Sequence, residues 1–296
     1  MSYDRLLLDT PSLFYRAFFA LPKTITDKDG LAVNAVRGVL DMTASLILKL
    51  DCKNVVATFD ANWRPDVRVK AYAGYKAARP DDPPELPPQL PILQEALDAA
   101  GITRVEATDL EADDALATLV TQKPDSERVA IVTGDRDLLC LVRDPDVTLH
   151  FPVKGVKEMK VFDEAEVERA HGVPPRLYPD YAILRGDSSD GLPGVRGIGP
   201  VKAASLLKRY GSIDAILEAR GPAGDQARGL QRSAEYLTAA KAVVTLVRIA
   251  PLEVTEPGSP DVAALERLAI RHNLESPARR LLEALGHTDR VDGGSR

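Results

Sequence analysis

Three short apolar runs each stop at an aspartate: "RLLLD" at Asp9, "VVATFD" at Asp60 and "RVAIVTGD" at Asp135. Each run is continuously apolar rather than alternating, which is the pattern of a strand covered on both faces of a parallel sheet. Helical patterns lie between them, from Ala35 to Leu50, Ile92 to Ala100 and Ala112 to Val120, and a further β-like segment, "ITRVEA", precedes the last. Strand alternating with helix predicts an α/β fold around a parallel sheet. In such sheets ligands bind in the crevice outside the carboxyl ends of the strands. The three aspartates therefore point to one ligand site.

The stretch "DLEADDALATLV" strengthens that reading, because it places Glu111, Asp113 and Asp114 at the start of a helix. Acidic side chains are favoured in a first helical turn, and Asp109 is a plausible cap by residue type. Taken alone, the stretch is an ordinary acidic helix start. Together with three strand-end aspartates, and with Asp137 two residues beyond Asp135, it makes a metal site the better reading. Hard oxygen ligands without His or Cys suit Mg²⁺ or Mn²⁺ rather than zinc.

The net charge of −6 and pI near 5.4 speak against a non-specific nucleic-acid binder. That exclusion weakens where acids are gathered at one cation site. Cys52 and Cys140 lack zinc-ligand spacing and read as buried thiols suited to a reducing cytoplasm. The histidines, His150, His171, His272 and His287, are scattered outside these motifs. No apolar run approaches the ~20 residues of a membrane span, and no leader pattern is seen.

Between Asp60 and Ile92 the chain turns basic and aromatic, "NWRPDVRVKAYAGYKAARP", then proline-rich, "DDPPELPPQLP". The proline run reads as a stiff, solvated linker. If the basic part is helical, Tyr72, Lys76 and Arg79 share a face that suits a phosphate-rich strand. After Val153 the chain is expected to be mainly helical. Asp187 and Asp190 sit around two serines, and "GVRGIGPVKAASLL" opens a helix through Gly194, Gly197 and Gly199. No strand is expected before these glycines, so they do not form a dinucleotide fingerprint. A helix–hairpin–helix gripping a nucleic-acid backbone fits better, with Gly197, Gly199 and Lys202 at the phosphate.

With these motifs in order, the chain resembles the 5′ nuclease, or flap endonuclease, family, particularly the bacterial branch that includes the N-terminal domain of DNA polymerase I. The resemblance is carried by "LLLD", "FYRAFFALP", "VVATFD", "YAGYKAARP", "GITRVEATDLEADDALATL", "VTGDRDLLCLV", "YPDYAILRGDSSDGLPGVRGIGPVKAASLL" and "YGSIDAIL", from about Leu6 to Leu217. It implies a parallel-sheet, PIN/resolvase-like nuclease domain over residues 1–172, with a helical arch at 61–91. A helical DNA-binding part would follow over 173–296, with a helix–hairpin–helix near 190–210 and a disordered tail near 287–296. By the resemblance, Asp9, Asp60, Glu111 and Asp113 would hold one metal, and Asp135, Asp137, Asp187 and Asp190 a second. Asp114 would act nearby through water. Tyr75, Lys76 and Arg79 would face the scissile phosphate, with Arg16 a further contact. Carbonyls of Val195 and Ile198 would hold a monovalent ion, K⁺. Two departures stand out: Thr10 and Pro11 follow the first Asp where Gly is usual, and Gly191 follows the last where Asn is common.

The implied activity is that of a hydrolase acting on ester bonds, a two-metal 5′-3′ exonuclease and flap endonuclease. Its substrates would be flapped, nicked or gapped DNA and RNA–DNA hybrids, cut to leave 5′-phosphate and 3′-hydroxyl ends. The setting would be replication and repair, in a cytoplasmic, nucleoid-associated monomer linked functionally with DNA polymerase and ligase. The alternatives are a related metal-dependent ribonuclease and a catalytically weak structure-specific DNA-binding protein.

Overall fold

Residues 2–218, 230 and 233–287 are described in the computed structural model. A seven-stranded sheet in the order β6-β5-β4-β1-β2-β3-β7 is its backbone. The strands are β1 (Arg5–Asp9), β2 (Val55–Phe59), β3 (Thr103–Ala107), β4 (Val129–Val132), β5 (Val147–Lys154), β6 (Glu158–Phe162) and β7 (Leu252–Thr255). The pairs β1–β2, β1–β4, β2–β3 and β4–β5 are parallel, whereas β6 and β7 close the two edges antiparallel. The expected parallel sheet is therefore the centre of a mixed one. β5, β6 and β7 escape the sequence pattern for a physical reason: β6 and β7 are largely solvent-facing edge strands that carry no continuous apolar run.

Side chains of the central strands alternate between two cores. Leu6, Leu8, Val55, Ala57, Ala130 and Val132 face one layer of helices, while Leu7, Val56, Val129 and Ile131 face the other. The first layer holds α1 (Thr10–Ala20), α2 (Asn34–Leu50) and α4 (Gln89–Ala99). Two late helices, Val262–His272 and Glu275–Leu285, join this same layer, with Leu265 and Leu281 fully buried in it. The opposite layer holds α5 (Ala112–Gln122), α6 (Glu164–His171), α7 (Tyr178–Arg185), α8 (Pro200–Tyr210) and the helix Ala234–Val244. The chain after residue 172 is thus not one separate helical body, because β7 and the last two helices pack back on the sheet.

The segment 61–91 departs most from expectation. Before α4 begins at Gln89, its one regular helix is α3 (Asp66–Ala71), followed by turns through Ala78, so no continuous helical face joins Tyr72, Lys76 and Arg79. The proline run is mostly exposed, as expected, but it is anchored at two points rather than a free linker. Leu86 and Gln89 are fully buried, and the Gln89 side chain accepts the amides of Ala35 and Val36 at 2.8 and 3.4 Å. Val33 at the N-terminus of α2 makes no side-chain cap, so Gln89 satisfies the free donors of that helix from outside. Both thiols are free and buried. Among the described residues no helix is long and apolar enough to cross a membrane. The expected tail from 288 onward lies outside the described residues.

Candidate active site

The strand order reverses at β1, which has β2 on one side and β4 on the other. A crevice opens outside the carboxyl ends at such a switch point. Asp9 ends β1 and caps α1, accepting the Ser12 amide at 3.2 Å. Thr10 and Pro11 take the first positions of α1, so the chain passes from strand to helix without the usual glycine. Asp60 follows β2 and accepts the Ala112 amide at 2.8 Å, satisfying a free donor at the start of α5. Beyond β4, the Thr133 hydroxyl donates to Asp9 at 2.5 Å and accepts the Asp135 amide at 2.8 Å. Asp135 in turn accepts the Asp137 amide at 2.8 Å. Thr133 thus ties the Asp9 carboxylate to the Asp135 backbone, a role the sequence reading missed because a lone Thr carries no pattern.

The remaining carboxylates come from α5 and from the loop after α7. Glu111, not Asp109, caps α5 in a reciprocal capping box with Asp114, while Asp109 sits outside at a positive φ of 59°. Asp187 accepts the Ser189 amide at 2.9 Å, and Asp190 pairs with Arg79 at 3.2 Å. Asp9, Asp60, Asp113, Asp135, Asp137 and Asp190 are each pushed above the usual carboxylate range, first by burial and then by repulsion from neighbouring carboxylates. Burial, then repulsion from Asp135 and Asp60, pushes Asp9 up to about 7. Burial and Asp135 bring Asp190 up to about 6. Burial, with Asp135 as the leading charge, holds Asp113 and Asp137 well above the usual carboxylate range.

Asp114 does not join this cluster. It is fully buried, and its oxygens accept Arg68 at 2.8 Å, the Val247 amide at 2.9 Å and the Glu111 amide at 3.3 Å. The same Arg68 donates to Glu111 and to the Val243 carbonyl. Arg68 and Asp114 therefore form a buried strut that sets the angle of Glu111. Nothing in the basic run singled out Arg68 from its neighbours.

The expected phosphate contacts lie against the carboxylates. Lys76 ion-pairs with Glu111, and the buried Tyr75 hydroxyl donates to the same carboxylate at 2.5 Å. The Lys76 amide donates to the Asp190 carbonyl at 3.1 Å. Gly191 makes that approach possible: its φ is +74°, and a Cβ there would strike the Gly74 carbonyl oxygen. This accounts for glycine after the last Asp. Arg16 packs on Gly134 beside Asp135, with its buried Nε unpartnered.

The hairpin between α7 and α8 stands beside this edge. Gly197 has φ +79°, and a Cβ at Gly197 or Gly199 would meet open space. Lys202, in the first turn of α8, donates to the Gly197 carbonyl at 3.3 Å. Val195 and Ile198 bury their side chains in the core, and the Ile198 amide donates to the Val195 carbonyl at 2.9 Å.

Two family models match end to end: the 5′-3′ exonuclease N-terminal resolvase-like domain over residues 4–172 and the 5′-3′ exonuclease C-terminal SAM fold over residues 173–261. The chain belongs to the 5′-3′ exonuclease family. It is 41% identical to a 5′-3′ exonuclease of Streptomyces coelicolor, covering 95% of this chain and 99% of that one. It is 40% identical to DNA polymerase I of Mycobacterium tuberculosis over 88% of this chain but only 28% of the polymerase. Among solved structures, the T5 D15 protein co-crystallised with metal ions shares the fold, with a TM-score of 0.68, 17% identity, and coverage of 95% of this chain and 99% of that one.

The all-oxygen donor set fits hard divalent ions. Among the described residues, however, no three such side chains already form an ion cage. Glu111 is engaged instead by Arg68, Tyr75 and Lys76.

The sign of the pH effect follows. These groups ionise at higher pH in the folded than in the unfolded chain, so ionisation costs folding free energy. Metal-free exonuclease should lose thermal stability as pH rises from about 4 to about 7, the span of the Asp9 shift. His150 and His171, held down to about 4 by burial, act in the opposite sense between about 4 and 6.5, so the carboxylate part is read as the difference in pH slope between wild type and Asp9→Asn. Asp146 and Glu166, held down to about 2 by cationic partners, titrate lower. Mn²⁺ should restore the loss, by about 2.7 kcal/mol at a hundredfold excess over Kd. Melting curves at several pH values with and without Mn²⁺ check this, and a Tm indifferent to both would contradict it.

Proposed function

We propose that this chain is a structure-specific 5′ nuclease that hydrolyses phosphodiesters of flapped, nicked or gapped DNA and of RNA–DNA hybrids. The observation that carries the reading is the convergence of carboxylates from β1, β2, β4, α5 and the α7–α8 loop on one sheet edge, with Lys76 and Arg79 drawn into their midst. Asp9, Asp60, Glu111 and Asp113 would hold one Mg²⁺ or Mn²⁺ ion, and Asp135, Asp137, Asp187 and Asp190 a second. Bound there, divalent ions supply Lewis-acid stabilisation and water activation for phosphodiester hydrolysis.

The chain's own residues supply the rest. Lys76 and Arg79, paired with Glu111 and Asp190 in the metal-free site, are placed to offset charge that grows on the phosphate. Arg16 brings an unpartnered donor to the same crevice. Arg68 keeps Glu111 aimed while Lys76 exchanges partners. Cleavage would leave a 5′-phosphate and a 3′-hydroxyl, with no protein nucleophile. Gly197, Gly199 and Lys202 would hold duplex phosphates without reading sequence, and the carbonyls of Val195 and Ile198 would hold a monovalent cation such as K⁺. Residues 1–172 would act as the nuclease domain, with the segment 61–91 as its clamp, and the hairpin in 173–296 as the duplex grip. The setting is replication and repair in the bacterial cytoplasm at the nucleoid, as a monomer, alongside DNA polymerase and ligase.

Asp135→Asn should abolish cleavage of a 5′-flap DNA in Mg²⁺, by at least a hundredfold, while flap binding persists. Parallel cleavage and gel-shift assays check this; a wild-type rate would sink the assignment of Asp135.

Lys202→Ala should weaken binding of substrates with a duplex arm, similarly for different base sequences. It should also flatten the salt dependence by roughly one unit, as one lost phosphate contact does. Titrations at several salt concentrations measure both. Unchanged affinity and slope would leave the hairpin a structural corner.

A further inference from the structure

Trp63 is the chain's single tryptophan, and it stands 52% exposed on the loop that leaves Asp60. An aromatic ring of this size normally contributes its area to a core or an interface. The loop beneath it is firmly held. The Asn62 amide donates to the Leu110 carbonyl at 3.0 Å, next to Glu111. The Arg64 amide donates to the Asn62 side chain at 3.0 Å, and the Arg64 guanidinium donates to the carbonyls of Tyr75 and Ala73 at 2.7 and 3.2 Å. The Trp63 carbonyl accepts Lys76 Nζ at 3.2 Å. Its backbone is thus tied to both the start of α5 and the Lys76 turn, while the indole is left bare. Among the described residues the ring makes no aromatic or cation contact.

We propose that Trp63 is a stacking platform for an unpaired base of the 5′ strand at the mouth of the site, and so a determinant of preference for unpaired over paired ends. The inference rests on the nuclease reading above. An indole face accepts any base, because every base presents a π-face. A stacked base also needs its phosphate neutralised; Arg64 is the next residue in the chain, and Lys76 Nζ reaches the Trp63 carbonyl. Arg64 forms no ion pair with a carboxylate among the described residues. Trp63 lies three residue steps beyond Asp60, a span of at most about 10 Å, so the stacked base belongs to a nucleotide close to the scissile bond. A rigid platform does this better than a mobile one, since less freedom is lost on binding.

The lone tryptophan makes the test direct. In EDTA, the emission of the unaltered protein is followed as a 5′-flap DNA is added, beside the same DNA with abasic units in the flap. Fluorescence anisotropy of the labelled DNA reports binding of each. The expected result is quenching by the base-bearing flap and little quenching by the abasic flap at equal occupancy. In Mg²⁺, Trp63→Ala should raise the half-saturating flap concentration roughly tenfold, as loss of one stacked base does, with a smaller change in the saturated single-turnover rate. Trp63→Phe should restore most of the loss. Equal emission changes for both flaps, or equal half-saturation for Trp63→Ala and wild type, would overturn the proposal. An emission shift on concentrating the protein without DNA would place a second copy on the ring and overturn it too. If wild type cleaves the flap while these results fail, the nuclease reading stands and the stacking role falls. A wild type that cleaves no flap removes the nuclease reading, and this inference with it.

Discussion

Repulsion among carboxylates gathered at one sheet edge is the constraint to which the rest of the site answers. Parallel strands bring Asp9, Asp60 and Asp135 to the same crevice, and the starts of α5 and of the α7–α8 loop add Glu111, Asp113, Asp187 and Asp190. Such a cluster is costly in a partly buried position. The fold offsets the cost with backbone amides at helix starts, with the Thr133 hydroxyl, and with the cations Arg68, Lys76, Arg79 and Arg185. Segment 61–79 is held down by those same charges. On the proposed assignment, a divalent ion held by Glu111 would compete with Lys76 for that carboxylate.

The donors around the carboxylates set where each one points. Carboxylates that repel turn toward whatever donors lie near. Glu111 finds Arg68, Tyr75 and Lys76, and Asp190 finds Arg79. Burial first, and then the nearness of the other carboxylates, raises the proton affinity of Asp9, Asp113, Asp137 and Asp190.

Much of this was legible in the sequence because it depends on periodicity. Continuous apolar runs ending in Asp marked β1, β2 and β4 nearly to the residue, and the start of α5 followed from its acidic turn. Edge strands β6 and β7 were not legible, since half-exposed antiparallel strands have no apolar run to recognise. The strut of Arg68 and Asp114 was hidden too. By its sequence Asp114 looks like one more member of an acidic cluster, and only the packing of Val247 and Arg68 around it shows a structural carboxylate. Segment 61–91 failed as a helix because its turns follow the carboxylates they dock on, a tertiary demand that no local propensity encodes. Gly191 shows the reverse: it departs from the family pattern, and the close approach of Gly74 supplies the reason.

The most direct test of this account is a crystal structure of the unaltered chain grown with Mn²⁺, with anomalous scattering used to locate the ions. The account predicts anomalous peaks among Asp9, Asp60, Glu111 and Asp113 and among Asp135, Asp137, Asp187 and Asp190, with Lys76 withdrawn from Glu111 and Arg68 still bound to it. Absence of peaks at this edge, with the Lys76–Glu111 pair intact under saturating Mn²⁺, would contradict it.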